Sequence, residues 1–181
     1  MRGRDMTGTA VSRVVSQAVL AVALLVAATT AWSAELYGQV VRIIDGDTLD
    51  VLVQKRPVRV RLAGIDAPER RQPFGEKARQ HLADLAFQKT VRVIEHDTDH
   101  YGRTLGIVLA ATSDGTTPSL NLNAAMVRAG MAWAYRHNGR PADPAMERLE
   151  RSARQERIGL WSDPKAVEPW MWRRASRGIG S

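Results

Sequence analysis

A run rich in Val and Ile, residues 38–44, and an alternating run, residues 48–53, flank the tripeptide Asp45-Gly46-Asp47, a pattern that predicts a β-hairpin. Alternation of apolar and polar side chains marks strands with one buried face, and Asp-Gly at the junction supplies the tight turn. Residues 54–57 make the next turn. Val58, Val60 and Leu62 then alternate with Arg59 and Arg61, which adds a third strand and completes a meander.

Helical spacing takes over after Phe74, where Ala78, Leu82, Leu85 and Ala86 form one apolar stripe. Residues 91–95 and 103–109 are two further strands around the polar loop 97–102, which brings the strand count to five. Leu122, Ala125, Met126 and Ala129 define a second helix ended by Gly130. Asp143 followed by Pro144 opens a third that runs to about Arg157, before Gly159. The order predicts an α+β chain with five strands and three α-helices, compatible with a small barrel, including the partly open OB type; periodicity leaves closure of the barrel open.

The N-terminus is of another kind. Arg2, Arg4 and Arg13 precede an unbroken apolar run of 11 residues, 18–28, followed by Ala31, Ser33 and Ala34. This is the layout of a secretory signal peptide, and the run is well short of the roughly 20 residues that span a bilayer. The expected division is a signal peptide over 1–34 cleaved after Ser33 or Ala34, a folded domain over 35–165, and a tail over 166–181. In the tail, Trp170 and Trp172 are expected to pack back onto the domain, with a nucleic-acid contact the lesser alternative, and the last Gly and Ser residues to fray. Export to the periplasm or the medium follows, without stable membrane association after cleavage and with no protein partner.

Lys and Arg number 26 against 19 Asp and Glu. Loss of the first 34 residues removes three basic residues and one acidic one, so the basic bias survives processing. A positive surface attracts polyanions, with nucleic acid the leading candidate. No Cys is present, which removes disulfides, thiolate ligands and thiolate nucleophiles together.

Carboxylates gather in two turns, Asp45-Gly46-Asp47-Thr48 and Asp66-Ala67-Pro68-Glu69, each at the end of an apolar strand. Arg61 lies five residues before Asp66, and Arg103 follows Tyr101-Gly102. Cleaving a phosphodiester requires a cation, further positive charge and a base, and these residues supply hard oxygens, guanidinium groups and a free carboxylate. Each feature alone has an ordinary structural explanation, since Asp-Gly is common in hairpins and Arg on a strand usually faces solvent. His81, His96 and His137 form no metal-binding pattern and read as structural or solvated.

Together, Asp45 to Thr48, Arg61-Leu62 leading to Asp66 to Glu69, and Asp99-His100-Tyr101-Gly102-Arg103 resemble the thermonuclease, or staphylococcal nuclease-like, family in order and spacing. The resemblance runs from about Tyr37 to Asp163. It implies a five-stranded OB barrel with three helices and a Ca²⁺-dependent site cutting DNA and RNA, with Mg²⁺ the lesser alternative. By the same resemblance Asp47, Asp66 and the backbone carbonyl of Ala67 hold the metal, with Asp45 behind them. Glu69 is the general base, Arg61 and Arg103 hold the phosphoryl oxygens, and products end in 3′-phosphate. His100, Tyr101, Trp133 and Tyr135 fall in regions where relatives contact the nucleotide. His100 departs from the pattern, standing where the best-known member has Lys, and so brings no permanent charge to a terminal phosphate. The competing expectation is an OB module that binds strands without cutting them, because a fold alone does not imply catalysis.

Overall fold

The computed structural model describes residues 34–111 and 118–178. The expected signal peptide, apart from Ala34, and the final residues 179–181 lie outside the described residues. The elements in chain order are β1 (Glu35–Ile43), β2 (Thr48–Val53), β3 (Arg56–Leu62), β4 (Ile65–Asp66), α1 (Gly75–Ala86), β5 (Thr90–Thr98), β6 (Thr104–Ala111), β7 (Pro118–Asn121) and α2 (Leu122–Arg128). They continue through β8 (Trp133–Ala134), β9 (Arg136–His137), β10 (Arg140–Pro141), α3 (Pro144–Gln155), a 3₁₀ turn (Gly159–Ser162) and α4 (Pro169–Gly178).

Five strands close into a barrel. β2 pairs antiparallel with β1 and β3, β5 with β1 and β6, and β6 runs parallel to β3 from Val60↔Thr104 to Leu62↔Gly106. That last pairing supplies the closure which alternation of residues left open. Inward positions fill the barrel: Val40, Leu49, Val51, Val60, Leu62, Val91, Val93 and Val108 are fully buried. Each such side chain contributes about 1.5–3 kcal/mol over an exposed one. Ala78, Leu82 and Ala86 of α1 and Leu122, Met126 and Val127 of α2 join the same core.

The turn after β2 is tighter than expected. Gln54 and Lys55 both take positive φ, 47° and 66°, the backbone of a two-residue hairpin, and β3 starts at Arg56 rather than beyond Pro57. Pro57 is tolerated because β3 has a single neighbour, β2, before Val60.

Four helices occur among the described residues, one more than the three expected. The addition is α4, which carries Trp170 and Trp172. Pro169 fits the first turn of a helix, and the carbonyl of Glu168 accepts the N–H groups of Met171 and Trp172. Among the described residues no helix is long and apolar enough to cross a membrane.

Candidate active site

The two acidic turns meet because the chain between them is short and the backbone at Gly46 is bare. Leu62 donates its N–H to the carbonyl of Asp47 at 2.8 Å, which fixes the hairpin turn against the end of β3. A Cβ on Gly46 would lie 2.7 Å from the Cβ of both Ala67 and Ala78, closer than packed carbons come, so only glycine lets the Asp45–Thr48 turn rest on the Asp66–Glu69 turn. Asp45 Oδ1 accepts the N–H of Asp47 at 3.0 Å, and the Thr48 hydroxyl donates to Asp47 Oδ1 at 2.9 Å. Asp47 Oδ2 then accepts the N–H of Ala67 at 3.0 Å, joining the turns directly.

Arg61, at the end of β3, spans both. Its Nη2 donates to Asp47 Oδ2 at 3.1 Å and to Asp66 Oδ1 at 3.0 Å. Burial alone would lower the Arg61 pKa, but the charges of Asp47 and Asp66 outweigh it and raise it. Asp66 is 1 % exposed, and burial pushes its pKa up in spite of the guanidinium groups around it. Asp45 is pushed up to about 7, first by burial and then by the charge of Asp47.

Glu69 is set by the turn into α1. Its N–H donates to Gln72 Oε1 at 3.1 Å, and its carbonyl accepts the N–H of Gln72 at 2.8 Å. A Cβ on Gly75 would collide with the Glu69 carbonyl, so glycine at the head of α1 allows this turn to close. Arg103 follows the 99–102 turn, where Asp99 accepts the N–H groups of Tyr101 and Arg103 at 2.9 and 3.0 Å and the Arg103 Nε at 2.7 Å. The Asp99 pKa falls because these bonds from Arg103 and Tyr101 outweigh burial, the largest single influence, which raises it. The Arg103 guanidinium also lies 5.4 Å from the centre of the Tyr101 ring.

Asp45, Asp47, Arg61, Asp66, Ala67, Glu69 and Arg103 border one open cleft of about 970 Å³, with His100, Tyr101 and Tyr135 on its rim. Tyr101 is 75 % exposed, with the Arg103 guanidinium over its ring and the His100 ring centre 3.8 Å away. Trp133 is brought elsewhere. It is 1 % exposed, with its ring edge-on to Trp161 at 5.0 Å, and has no open face on which a base could stack. Its strand β8 pairs with β4 through Asp66↔Trp133, and that pairing with the buried packing around it makes Trp133 part of the core.

Among the cleft residues outside the motifs, Arg173 binds two of the acids. Arg173 of α4 donates from Nη2 to Asp66 Oδ2 at 2.7 Å, and from Nη1 to Asp66 Oδ1 at 3.1 Å and Glu69 Oε1 at 2.8 Å. The basic and aromatic mixture around residue 173 is visible in the sequence, but a partner 107 residues away is not.

The donor set suits a hard divalent cation. Asp47 and Asp66 turn oxygens toward a single Arg61 nitrogen, and every donor is oxygen. Among the described residues no three or more His, Cys, Asp or Glu side chains gather closely enough to hold a metal by themselves. A cation here would draw on two carboxylates, the Ala67 carbonyl and water.

A family model described as Staphylococcal nuclease homologue matches residues 59–163. The chain is 63% identical over 162 residues to Protein ParB of Escherichia coli, covering 88% of this chain and 91% of that one. It is 55% identical over 163 residues to Micrococcal nuclease of Shigella flexneri, covering 89% and 93%. A protein of Escherichia coli O157:H7 described as Uncharacterized endonuclease is 44% identical over 140 residues, covering 77% and 86%.

Proposed function

Because the chain belongs to the staphylococcal nuclease homologue family, we propose that it is a nuclease: an exported, Ca²⁺-dependent phosphodiesterase that hydrolyses DNA and RNA. The observation that carries this reading is the convergence of Asp47, Arg61, Asp66, Glu69 and Arg103 on one open cleft in a basic protein. Export rests on the N-terminal pattern of Arg2, Arg4, Arg13 and the apolar run 18–28.

The chemistry follows from the side chains. A bound Ca²⁺ would supply positive charge to a phosphoryl oxygen and to the attacking water, held by Asp47, Asp66 and the Ala67 carbonyl. Glu69, half exposed at the mouth of the cleft, accepts a proton from that water as it attacks phosphorus. Arg61 and Arg103 donate to the phosphoryl oxygens, where planar, permanently charged groups neutralise charge as it builds. The leaving group is the 5′ oxygen, so that products end in 3′-phosphate. Tyr101 and Tyr135 offer ring surface to the flanking bases, and His100 a polar contact beside them.

The test is cleavage of labelled single-stranded DNA, duplex DNA and RNA with Ca²⁺, with Mg²⁺ and with a chelator. Cutting that needs Ca²⁺, leaves 3′-phosphate ends and falls by about two orders of magnitude or more in Glu69→Gln and Arg61→Ala is the expected result. Tight binding without cutting, under every metal, would make the protein a strand-binding module instead.

A further inference from the structure

Arg173 reaches the acidic cleft from α4, which lies beyond the family-matched segment 59–163. Its guanidinium covers both oxygens of Asp66 and one of Glu69. Asp66 Oδ1 also receives Arg61, so three N–H contacts from two guanidinium groups already occupy a carboxylate that offers about four acceptor positions. A divalent cation that takes Asp66 must therefore displace Arg173 from it or share it against like-charge repulsion.

The support of α4 suits displacement. Val167, just ahead of the helix, accepts Gln72 Nε2 at 2.5 Å, and Gln72 is the residue that shapes the Glu69 turn. Trp170 lies under the Arg136 guanidinium at 5.5 Å. Pro169 is buried and Trp172 partly so; past Arg173, residues Arg174 to Arg177 are exposed, and a helix of 10 residues has little stability apart from its docking. The Arg173 ion pairs thus join a short helix to the carboxylates that the proposed reaction requires.

We propose that Arg173 is an internal competitor for the divalent cation, with α4 holding Asp66 and Glu69 under its own positive charge until the cation displaces it. The inference rests on the cation-dependent reading given above. It deepens that reading by making site opening a function of cation concentration, with a segment outside the barrel setting the threshold.

Calorimetric titration of Ca²⁺ into the full chain without nucleic acid tests it, using the wild type, Arg173→Gln and Arg177→Gln. Arg177 borders the same cleft and carries the same charge, but its side chain donates to the Arg173 carbonyl and to neither acid. Competition predicts on the order of tenfold tighter Ca²⁺ binding in Arg173→Gln and at most about a twofold change in Arg177→Gln. Amide hydrogen exchange on the wild type gives a reading free of substitution: Ca²⁺ is expected to speed exchange over residues 169–178. Equal tightening in both variants, weaker binding in Arg173→Gln, or a helix that Ca²⁺ protects would overturn the inference. If the wild type binds Ca²⁺ and cuts but Arg173→Gln binds no tighter, the competition fails while the nuclease reading stands. If none of the three proteins binds Ca²⁺, the competition and the Ca²⁺ dependence both fall.

Discussion

Asp47 Oδ2 accepts the backbone N–H of Ala67 at 3.0 Å, so a side chain from the first acidic turn holds the backbone of the second. The same oxygen receives Arg61, which makes Asp47 a structural joint as well as a candidate cation ligand. The two roles separate by substitution. Asp47→Ala leaves the buried Ala67 N–H without its acceptor and Arg61 with one fewer carboxylate, and is expected to cost about 2–4 kcal/mol in urea denaturation. Asp47→Asn retains an oxygen for Ala67 and is expected to cost about 1 kcal/mol. Under the proposed function both variants lose Ca²⁺-dependent cleavage. Wild-type cleavage by a folded Asp47→Asn protein would reduce Asp47 to a joint.

The turn before Arg103 yields a pH dependence. Asp99 has a pKa below its usual 3.8, so it is ionised in the fold at pH values where the unfolded chain still holds its proton. Its contribution to stability is accordingly complete above the unfolded pKa and disappears as pH falls through the folded one. Asp99→Asn removes that contribution while leaving an oxygen for the Tyr101 and Arg103 N–H groups. The urea midpoints of wild type and variant are expected to differ by a constant amount at pH 5–8 and to converge below about pH 4. Because the variant also loosens Arg103, kcat is expected to fall more than midpoint stability; an unchanged kcat would show that Asp99 does not orient Arg103.

How far the chain could be read in advance depended on whether a feature was local. Alternation at Val58, Val60 and Leu62 announced the third strand, and Val60 and Leu62 are fully buried while Arg59 is exposed. The same alternation placed Arg61 with the solvated side chains if read alone; its ion pairs with Asp47 and Asp66 depend on turns that periodicity does not describe. β4 and β8 have two residues each, too few for any alternation to register, yet their pairing brings Asp66 opposite Trp133 and makes that ring part of the core. Arg173 lies at the far extreme. Pro169 marks a helix start, but nothing local distinguishes an arginine facing Asp66 across the chain from one facing water.

Asn123 is a polar residue at the head of α2 that no apolar stripe would single out, and it is fully buried. Its Nδ2 donates to the carbonyls of Ala63 at 2.8 Å and Gly106 at 3.1 Å, and its Oδ1 accepts the N–H of Val108 at 3.0 Å. One side chain thus ties α2 to β6 and to the segment between Leu62 and Asp66. Asn123→Ala strands the buried Val108 N–H and the Ala63 carbonyl, each lost partner costing about 1–3 kcal/mol, while the Gly106 carbonyl keeps the N–H of Ala63 at 2.9 Å. Asn123→Asp keeps the acceptor for Val108 but turns a carboxylate toward two carbonyl oxygens, so it is expected to be at least as destabilising as the alanine variant. Both are expected to lower the urea midpoint strongly, and Asn123→Ala to reduce cleavage at temperatures where it remains folded, since Ala63 leads directly into Asp66. Should Asn123→Ala unfold at the wild-type midpoint, the network would contribute nothing net, and the position of Asp66 would rest on Arg61, Arg173 and the β4–β8 pairing.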